Sequence, residues 1–149
     1  MKVIAHNRKA LHDYHVLESF EAGLVLTGSE VKSLRQGMVT VSDAYGDVVG
    51  AEVYLFNLHI TPYRYSRAGA SDPKRKRKVL LKMREIKKLL GLVQQRGNTL
   101  IPLKIYFTER GFAKVELGVC HRKRLYDKKE KILKKEEEKK IAKARKTAR

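Results

Sequence analysis

Residue types that could do chemistry are sparse in this chain and form no common catalytic pattern. Cys120 is the only cysteine, and its segment supplies no third group to orient it as a nucleophile. His6, His12 and His15 lie near the N-terminus, but neither a cysteine pair nor an H-E-x-x-H motif accompanies them. The ten glycines form no common phosphate-binding loop. We therefore expect a binding protein without catalytic residues, metal or cofactor; a scattered carboxylate pair stays open as the catalytic alternative.

The charge of the chain indicates the kind of partner it binds. Lys and Arg outnumber Asp and Glu by 34 to 16, which gives a formal charge of +18. Because solubility alone needs a net charge of magnitude about 2 to 8, a polyanion such as nucleic acid is the expected partner. The basic run at residues 74–78 predicts phosphate contacts, with a solvated loop as the alternative. Five tyrosines offer surfaces for unpaired bases, with ordinary packing as the alternative: Tyr14, Tyr54, Tyr63, Tyr65 and Tyr106.

Strands must position most of these residues. Apolar and polar residues alternate in residues 101–107 and 113–119 around a Glu109-Arg110-Gly111 turn, which predicts an antiparallel hairpin. Three earlier segments, residues 14–20, 24–27 and 53–60, are also predicted strands, separated by turn signals at residues 21–23, at Gly46-Asp47 and at Gly50. Helices are predicted at residues 82–96, with Met83, Ile86, Leu89, Leu90 and Val93 on one face, and at residues 29–36, with Ser29 as the cap.

This pattern predicts a fold that is mainly β with helices. Five or six antiparallel strands in about 120 residues favour a closed barrel, since an open sheet leaves exposed edges. We expect a barrel of the oligonucleotide-binding type with about six strands and two or three flanking helices. The segment at residues 67–78 is too polar to be buried, so it is predicted to be a loop in solvent.

The last fifth of the chain differs in composition from the rest. Residues 121–149 hold 14 Lys or Arg against 5 acids, half of the net charge, with few apolar side chains. We predict a folded domain at residues 1–120 and a basic tail at residues 121–149 that is disordered when free and helical when bound. The N-terminus has no long apolar stretch, and a lone cysteine allows no internal disulfide, so we expect a cytoplasmic protein without membrane contact.

Six blocks of residues, in order along nearly the whole chain, carry a family resemblance. They are Asn7-Arg8-Lys9-Ala10, Phe20-Glu21-Ala22-Gly23, the run from Gly28 to Arg35 with Gly37, residues 77–86, Lys114-Val115-Glu116-Leu117-Gly118, and Tyr126-Asp127-Lys128-Lys129. The sequence in these blocks resembles the SmpB, or SsrA-binding protein, family.

The resemblance implies a function in the rescue of stalled ribosomes. The barrel is expected to bind the transfer-RNA-like end of transfer-messenger RNA (tmRNA) and to replace its missing anticodon arm. The tail is expected to enter the empty messenger channel at the decoding centre of the small ribosomal subunit. Elongation factor Tu and alanyl-tRNA synthetase are expected to be indirect partners through the RNA, and the free protein is expected to be a monomer.

The same resemblance implies two sets of site residues. The expected RNA-binding or RNA-supporting residues are Asn7, Arg8, Glu21, Lys32, Arg35, Leu81, Lys114, Arg122, Lys123 and Arg124. The expected decoding-centre residues are Tyr126, Asp127, Lys128, Lys129, Leu133 and Ile141. Glu21 has a turn-capping role as its alternative, and Leu81 has a core role.

The resemblance weakens after Val119. The family usually has a small residue followed by Lys-Gly-Lys-Lys, whereas this chain has Cys120-His121-Arg122-Lys123-Arg124. A glycine that can adopt positive φ has become Arg122, so the bend into the tail is expected to differ. Two other functions stay open at this point: a structural protein of the ribosome and an RNA-processing enzyme.

Overall fold

The computed structural model describes residues 1–64 and 72–123, and within them the chain forms nine strands and three helices. In chain order these are β1 (Lys2–His6), α1 (Arg8–Asp13), β2 (Tyr14–Leu24), α2 (Gly28–Arg35), β3 (Val39–Thr40), β4 (Tyr45–Val49), β5 (Glu52–Phe56), β6 (His59–Ile60), β7 (Arg77–Leu80), α3 (Met83–Val93), β8 (Asn98–Phe107) and β9 (Ala113–Arg122).

Six of the strands pair in a ring. Each strand in the order β8, β4, β5, β7, β2 and β9 is antiparallel to the next, and β9 pairs back onto β8. β1 pairs with the later part of β8, from Lys104 to Phe107. β3 pairs with β6 in a separate two-stranded sheet. The predicted class, mainly β with a few helices, is therefore confirmed.

The longest pairings of the ring involve β9. The predicted hairpin of β8 and β9 is confirmed, with Ile105 opposite Val115 and a turn in which Gly111 has a φ of +84°. β2 lies along the other side of β9, from Tyr14 opposite Arg122 to Gly23 opposite Lys114. The alternate apolar residues of β9 share one face and point into the main core, where Val115, Leu117 and Val119 are each 0% exposed.

β2 is one continuous strand where two strands were predicted. Residues 21–23, interpreted as a turn, pair with Glu116, Val115 and Lys114 of β9. Phe20, Ala22 and Leu24 all point into the core, so the alternation of a strand continues through this segment. The separate strand at residues 24–27 and the turn-capping alternative for Glu21 are therefore wrong.

The predicted turn at Gly46-Asp47 is also wrong, because both residues lie inside β4. A Cβ at Gly46 would lie 2.6 Å from Cδ2 of Leu100, so glycine is needed there for β4 to approach β8 closely. The turn at Gly50 is confirmed, with a φ of +65°. The predicted strand at residues 53–60 is divided into β5 and β6, and Asn57 between them has a φ of +58°.

Two of the three helices were predicted. α2 begins after Thr27 rather than Ser29: the Thr27 hydroxyl accepts from the Glu30 N–H at 3.3 Å, and the Glu30 carboxylate accepts from the Thr27 N–H at 2.9 Å. α3 buries Ile86 and Leu89 in the main core, whereas Met83, predicted on the same face, is 58% exposed. α1 was not predicted.

Candidate nucleic-acid interface

Glu21 lies exposed on β2 beside a hollow of about 530 Å³ that Tyr106 and Phe112 also line. Burial, followed by a hydrogen bond to Glu21, raises the pKa of the Tyr106 phenol far above its usual value. The phenol therefore stays protonated beside the Glu21 carboxylate. Sequence reasoning missed that Tyr106 and Glu21 line the same hollow.

Two expected RNA residues lie near one position of β2. Gly23, two residues after Glu21, lies opposite Lys114 of β9 and opposite Leu80 of β7. Leu81 follows Leu80 directly and packs against the main core. The register thus places Glu21 and Lys114 near each other, whereas Leu81 has the core role given as its alternative.

Asn7 is buried, with 1% exposure, and serves the fold. Its Oδ1 accepts from the Ala10 N–H at 3.1 Å and caps α1, while its Nδ2 donates to the carbonyls of Val41 and Pro102. Both side-chain N–H groups are used within the fold and the side chain is buried, so Asn7 does not face a ligand. Arg8 next to it is exposed at the start of α1.

The exposed cations of α2 rest on aromatic rings. Nζ of Lys32 lies 5.3 Å from the ring centre of Tyr63, and Cζ of Arg35 lies 5.2 Å from that of Phe107. Both side chains are exposed while the opposite side of α2 is buried at Leu34. The helix therefore presents two fixed positive charges to solvent.

The interpretation of residues 74–78 as a solvated loop is wrong at its end. Arg77 and Lys78 belong to β7, and the Arg77 side chain is 0% exposed. Arg77 donates from Nε and Nη2 to Oε2 of Glu30, at 2.7 and 2.6 Å, and also to the carbonyls of Leu58 and Pro73. A buried guanidinium needs such a full set of acceptors.

Arg75 is the second cation on the same carboxylate. Its Nε lies 3.1 Å from Oε2 of Glu30, and its Nη2 bonds Oε1. Burial alone would raise the pKa of Glu30, but the hydrogen bonds from Arg75, the Thr27 N–H and Arg77 outweigh it and hold the pKa below its ordinary value of 4.5. Arg75 and Arg77 therefore serve the fold, which leaves Lys74 and Lys76 as the exposed cations of this run.

The described tyrosines are poorer stacking surfaces than predicted. Tyr106 is 5% exposed, which rules out stacking on its faces. Lys76 covers the ring of Tyr54 at 4.7 Å, Lys32 lies over Tyr63, and Tyr14 is half-buried. Tyr65 lies outside the described residues.

The basic run after Val119 is described only as far as Lys123. β9 continues through buried His121 and exposed Arg122, two residues beyond the predicted domain boundary. No bend occurs at Arg122, which pairs with Tyr14. Arg124 and the decoding-centre residues, Tyr126, Asp127, Lys128, Lys129, Leu133 and Ile141, lie outside the described residues.

The described residues contain no group of three or more His, Cys, Asp or Glu side chains able to hold a metal. Burial raises the pKa of the Cys120 thiol to about 12, so the nucleophilic thiolate does not form near neutral pH. None of the helices in the described ranges is long and apolar enough to span a membrane.

A ring of antiparallel strands with fixed surface cations and a positioned carboxylate defines a small basic protein of the nucleic-acid-binding class. The SmpB protein family model matches residues 4–147, and the chain belongs to this family, as the resemblance predicted. Curated relatives are named SsrA-binding protein. The one from Desulfitobacterium hafniense is 52% identical over 95% of this chain and 90% of its own length. Those from Geobacillus thermodenitrificans and Moorella thermoacetica are 50% and 47% identical, over 96% and 97% of this chain and 92% and 93% of their own lengths.

A solved structure described as "tmRNA-SmpB: a journey to the center of the bacterial ribosome" contains a similar chain. Its TM-score is 0.70 at 50% sequence identity, and the match covers 83% of this chain and 85% of that one. The fold and the sequence thus agree on the same family.

Proposed function

We propose that this protein binds tmRNA and delivers it to stalled ribosomes for trans-translation. The observation that carries the proposal is the match, along almost the whole chain, to SsrA-binding proteins and to a chain of a tmRNA-SmpB structure. The surface supports it, because exposed cations on the ring suit phosphates, and an acid among them suits a specific hydrogen bond to RNA.

In this proposal the six-stranded ring is a closed barrel of oligonucleotide-binding type that replaces the anticodon arm of tmRNA. Residues 1–122, through the end of β9, form the RNA-binding domain, and the residues after Lys123 form the tail that occupies the messenger channel at the decoding centre. The protein is a cytoplasmic monomer when free and binds rather than catalyses. Elongation factor Tu and alanyl-tRNA synthetase act on the RNA that it carries.

The proposed site residues divide by their surroundings. Arg8, Lys32, Arg35, Lys114, Arg122 and Lys123 carry charge toward the phosphates, together with Arg124. Asn7 and Leu81 support the neighbouring contacts from buried positions. Glu21 contributes specificity, because a carboxylate beside a polyanion is favourable only where RNA donates a hydrogen bond to it.

The direct test is to purify the protein from cells and sequence the RNA that accompanies it. We expect one predominant tmRNA. A stoichiometric set of ribosomal RNAs on every ribosome would instead indicate a structural protein of the ribosome, and turnover of a labelled RNA would indicate an enzyme.

Glu21→Ala is expected to lower tmRNA affinity by about tenfold, the usual effect of losing a hydrogen bond to a charged group. Heparin, a polyanion without specific donors, should bind as well or better because one negative charge is gone. The matched control is Glu18→Ala, which removes the same charge from β2 but only breaks the ion pair of Glu18 with Lys88 at 2.6 Å. Equal gains in tmRNA affinity for the two variants, measured by filter binding, would contradict the specific role of Glu21.

Binding of tmRNA is expected to weaken steeply with salt, because the +18 chain displaces counterions from several phosphates. Lys114→Ala should reduce the slope of log affinity against log salt by about one, the value for a single phosphate contact. Lys88→Ala is the matched control, since Lys88 is engaged by Glu18. Titrations between 50 and 300 mM salt, roughly the range over which such slopes are resolved, provide the measurement, and a flat dependence would contradict an electrostatic interface.

A further inference from the structure

The last strand of the ring ends in a buried histidine that neither the sequence motifs nor the proposed RNA contacts include. His121 is 4% exposed, although Arg122 after it faces solvent. Nδ1 of His121 lies 2.6 Å from Oδ1 of Asn98, and the two residues are partners in the pairing of β8 with β9. Because an amide oxygen can only accept, Nδ1 of His121 carries the hydrogen and donates it.

Asn98 extends this contact to α3. Its Nδ2 donates to the Leu92 carbonyl at 2.8 Å, in the last turn of the helix, where carbonyls lack helical partners. Gly97 before it has a φ of +86°. A Cβ at Gly97 would lie 2.6 Å from Cε1 of His121, so the imidazole packs directly against the backbone of Gly97. One side-chain pair therefore joins the end of α3, the start of β8 and the end of β9.

We infer that Asn98 and His121 form a positioning pair that fixes the end of β9 and thereby the point at which the chain leaves the ring. The inference rests on the proposed function and deepens it. β9 continues through both His121 and Arg122 before the chain leaves the ring. A strand held at this end fixes the position from which the following residues start, called here a fixed origin.

A fixed origin matters because the tail and the ring must engage their partners at the same time. A second contact made through a linker depends on effective concentration, which falls when the linker becomes longer or its start becomes mobile. Without the donor of His121, the last residues of β9 can separate from Tyr14 and Asn98 and lengthen the free segment. The RNA contact of Lys114 should be spared, since Lys114 lies seven residues earlier on β9, roughly 23 Å away along a strand. Only the charges of Arg122 and Lys123, which follow His121 directly, move with the loosened strand end.

The test compares four variants in full-length protein. His121→Leu removes the donor, and Asn98→Ala removes the acceptor. His121→Asn keeps an N–H near the position of Nδ1, and Cys120→Ala changes a buried neighbour without touching the pair. Tagging yield on messages without a stop codon, tmRNA affinity and the thermal midpoint are measured for each, with amide hydrogen exchange at residues 121–123 as a local readout.

We expect His121→Leu to lower the tagging yield by about tenfold, the effect of one lost buried hydrogen bond, with a much smaller loss of tmRNA affinity. Exchange at residues 121–123 should accelerate in this variant and in Asn98→Ala, but not in His121→Asn or Cys120→Ala. His121→Asn should restore most of the tagging yield, and Cys120→Ala should behave as wild type. Asn98→Ala, which removes the acceptor, should reproduce His121→Leu.

Other outcomes overturn the inference. Normal tagging by His121→Leu, failure of His121→Asn to restore tagging, or a parallel loss of tmRNA affinity would each do so. Global unfolding of both His121→Leu and Asn98→Ala would show that the pair holds the ring rather than the exit of the chain. Failure of the wild-type protein to support tagging at all is a different result, because it contradicts the proposed function itself.

Discussion

Ending the chain after Arg124 is expected to abolish peptide tagging while leaving the thermal midpoint and most of the tmRNA affinity intact. All six strands of the ring, Glu21 and Lys114 remain, whereas the proposed decoding-centre residues are lost. Affinity is best measured near 150 mM salt, where the Debye length of about 8 Å limits nonspecific attraction by the removed lysines. Tagging yield and affinity are compared side by side for truncated and intact protein.

Proline at Leu133 and Ala142 should have the same effect as truncation, because proline forbids the helix predicted for the bound tail. Alanine at Leu133 is the matched control, since it keeps helix propensity and removes only an apolar contact. If truncation abolished tmRNA affinity, the tail would be an ordinary RNA-binding arm. Unchanged tagging would make it dispensable, and either result would refute the proposed division between ring and tail.

Arg77→Ala is expected to lower the free energy of unfolding by about 3 kcal/mol, the lower end of the usual cost of breaking a buried ion pair, because Arg75 still pairs with Glu30. Glu30 would keep only Arg75 and the Thr27 N–H, and the carbonyls of Leu58 and Pro73 would lose a donor. A loss of that size should lower the thermal midpoint by roughly 10 to 20 °C.

The control for this prediction is Arg96→Ala, which removes an exposed arginine just after α3 and should cost less than about 0.5 kcal/mol. Urea unfolding of the two variants beside the wild type provides the comparison. Equal stability of Arg77→Ala and Arg96→Ala would show that the buried guanidinium contributes nothing to the fold.

Acid should weaken the same network. The folded-state pKa of Glu30 lies below its ordinary value of 4.5, so its stabilisation is fully present above that pH and is lost as the pH falls through the lower folded-state value. Glu30→Gln has no carboxylate to protonate. The wild type should therefore lose more free energy of unfolding than Glu30→Gln between pH 5 and pH 3, and parallel pH curves would contradict this assignment.

The amphipathic elements were predictable because a single pattern determines each of them. The alternation in residues 101–107 and 113–119 gave the hairpin, and the apolar face around Ile86 and Leu89 gave α3. The predicted turns at residues 21–23 and at Gly46-Asp47 were wrong because glycine has two meanings. It occurs in turns, and it also occurs inside strands where a neighbour approaches closely. The pairing of β2 with β9 distinguishes these two meanings for residues 21–23, and the pairing of β4 with β8 does so for Gly46.

The candidate site was predictable in its residues but less so in their roles. Charge and the family resemblance identify Arg8, Lys32 and Arg35, which the structure leaves exposed. A basic run, however, has the same composition whether its side chains are solvated or paired. The composition of residues 74–78 therefore did not show that the guanidinium of Arg77 is buried. The available signal for this burial was an alternation with a period of two. Arg75 and Arg77 turn toward Glu30, whereas Lys74 and Lys76 are exposed.

The pairing of Tyr14 with Arg122 also has a consequence for how the protein folds during its synthesis. β9 is the last strand of the ring and lies between β2 and β8, so the ring cannot close until residue 122 has been synthesised. Such distant pairings make folding slow, because the chain loses the entropy of loop closure before it gains the stabilising contacts. A nascent chain released before that point would expose the edges of β2 and β8, which invite aggregation. An incomplete copy of this protein is therefore itself a product that the cell must remove.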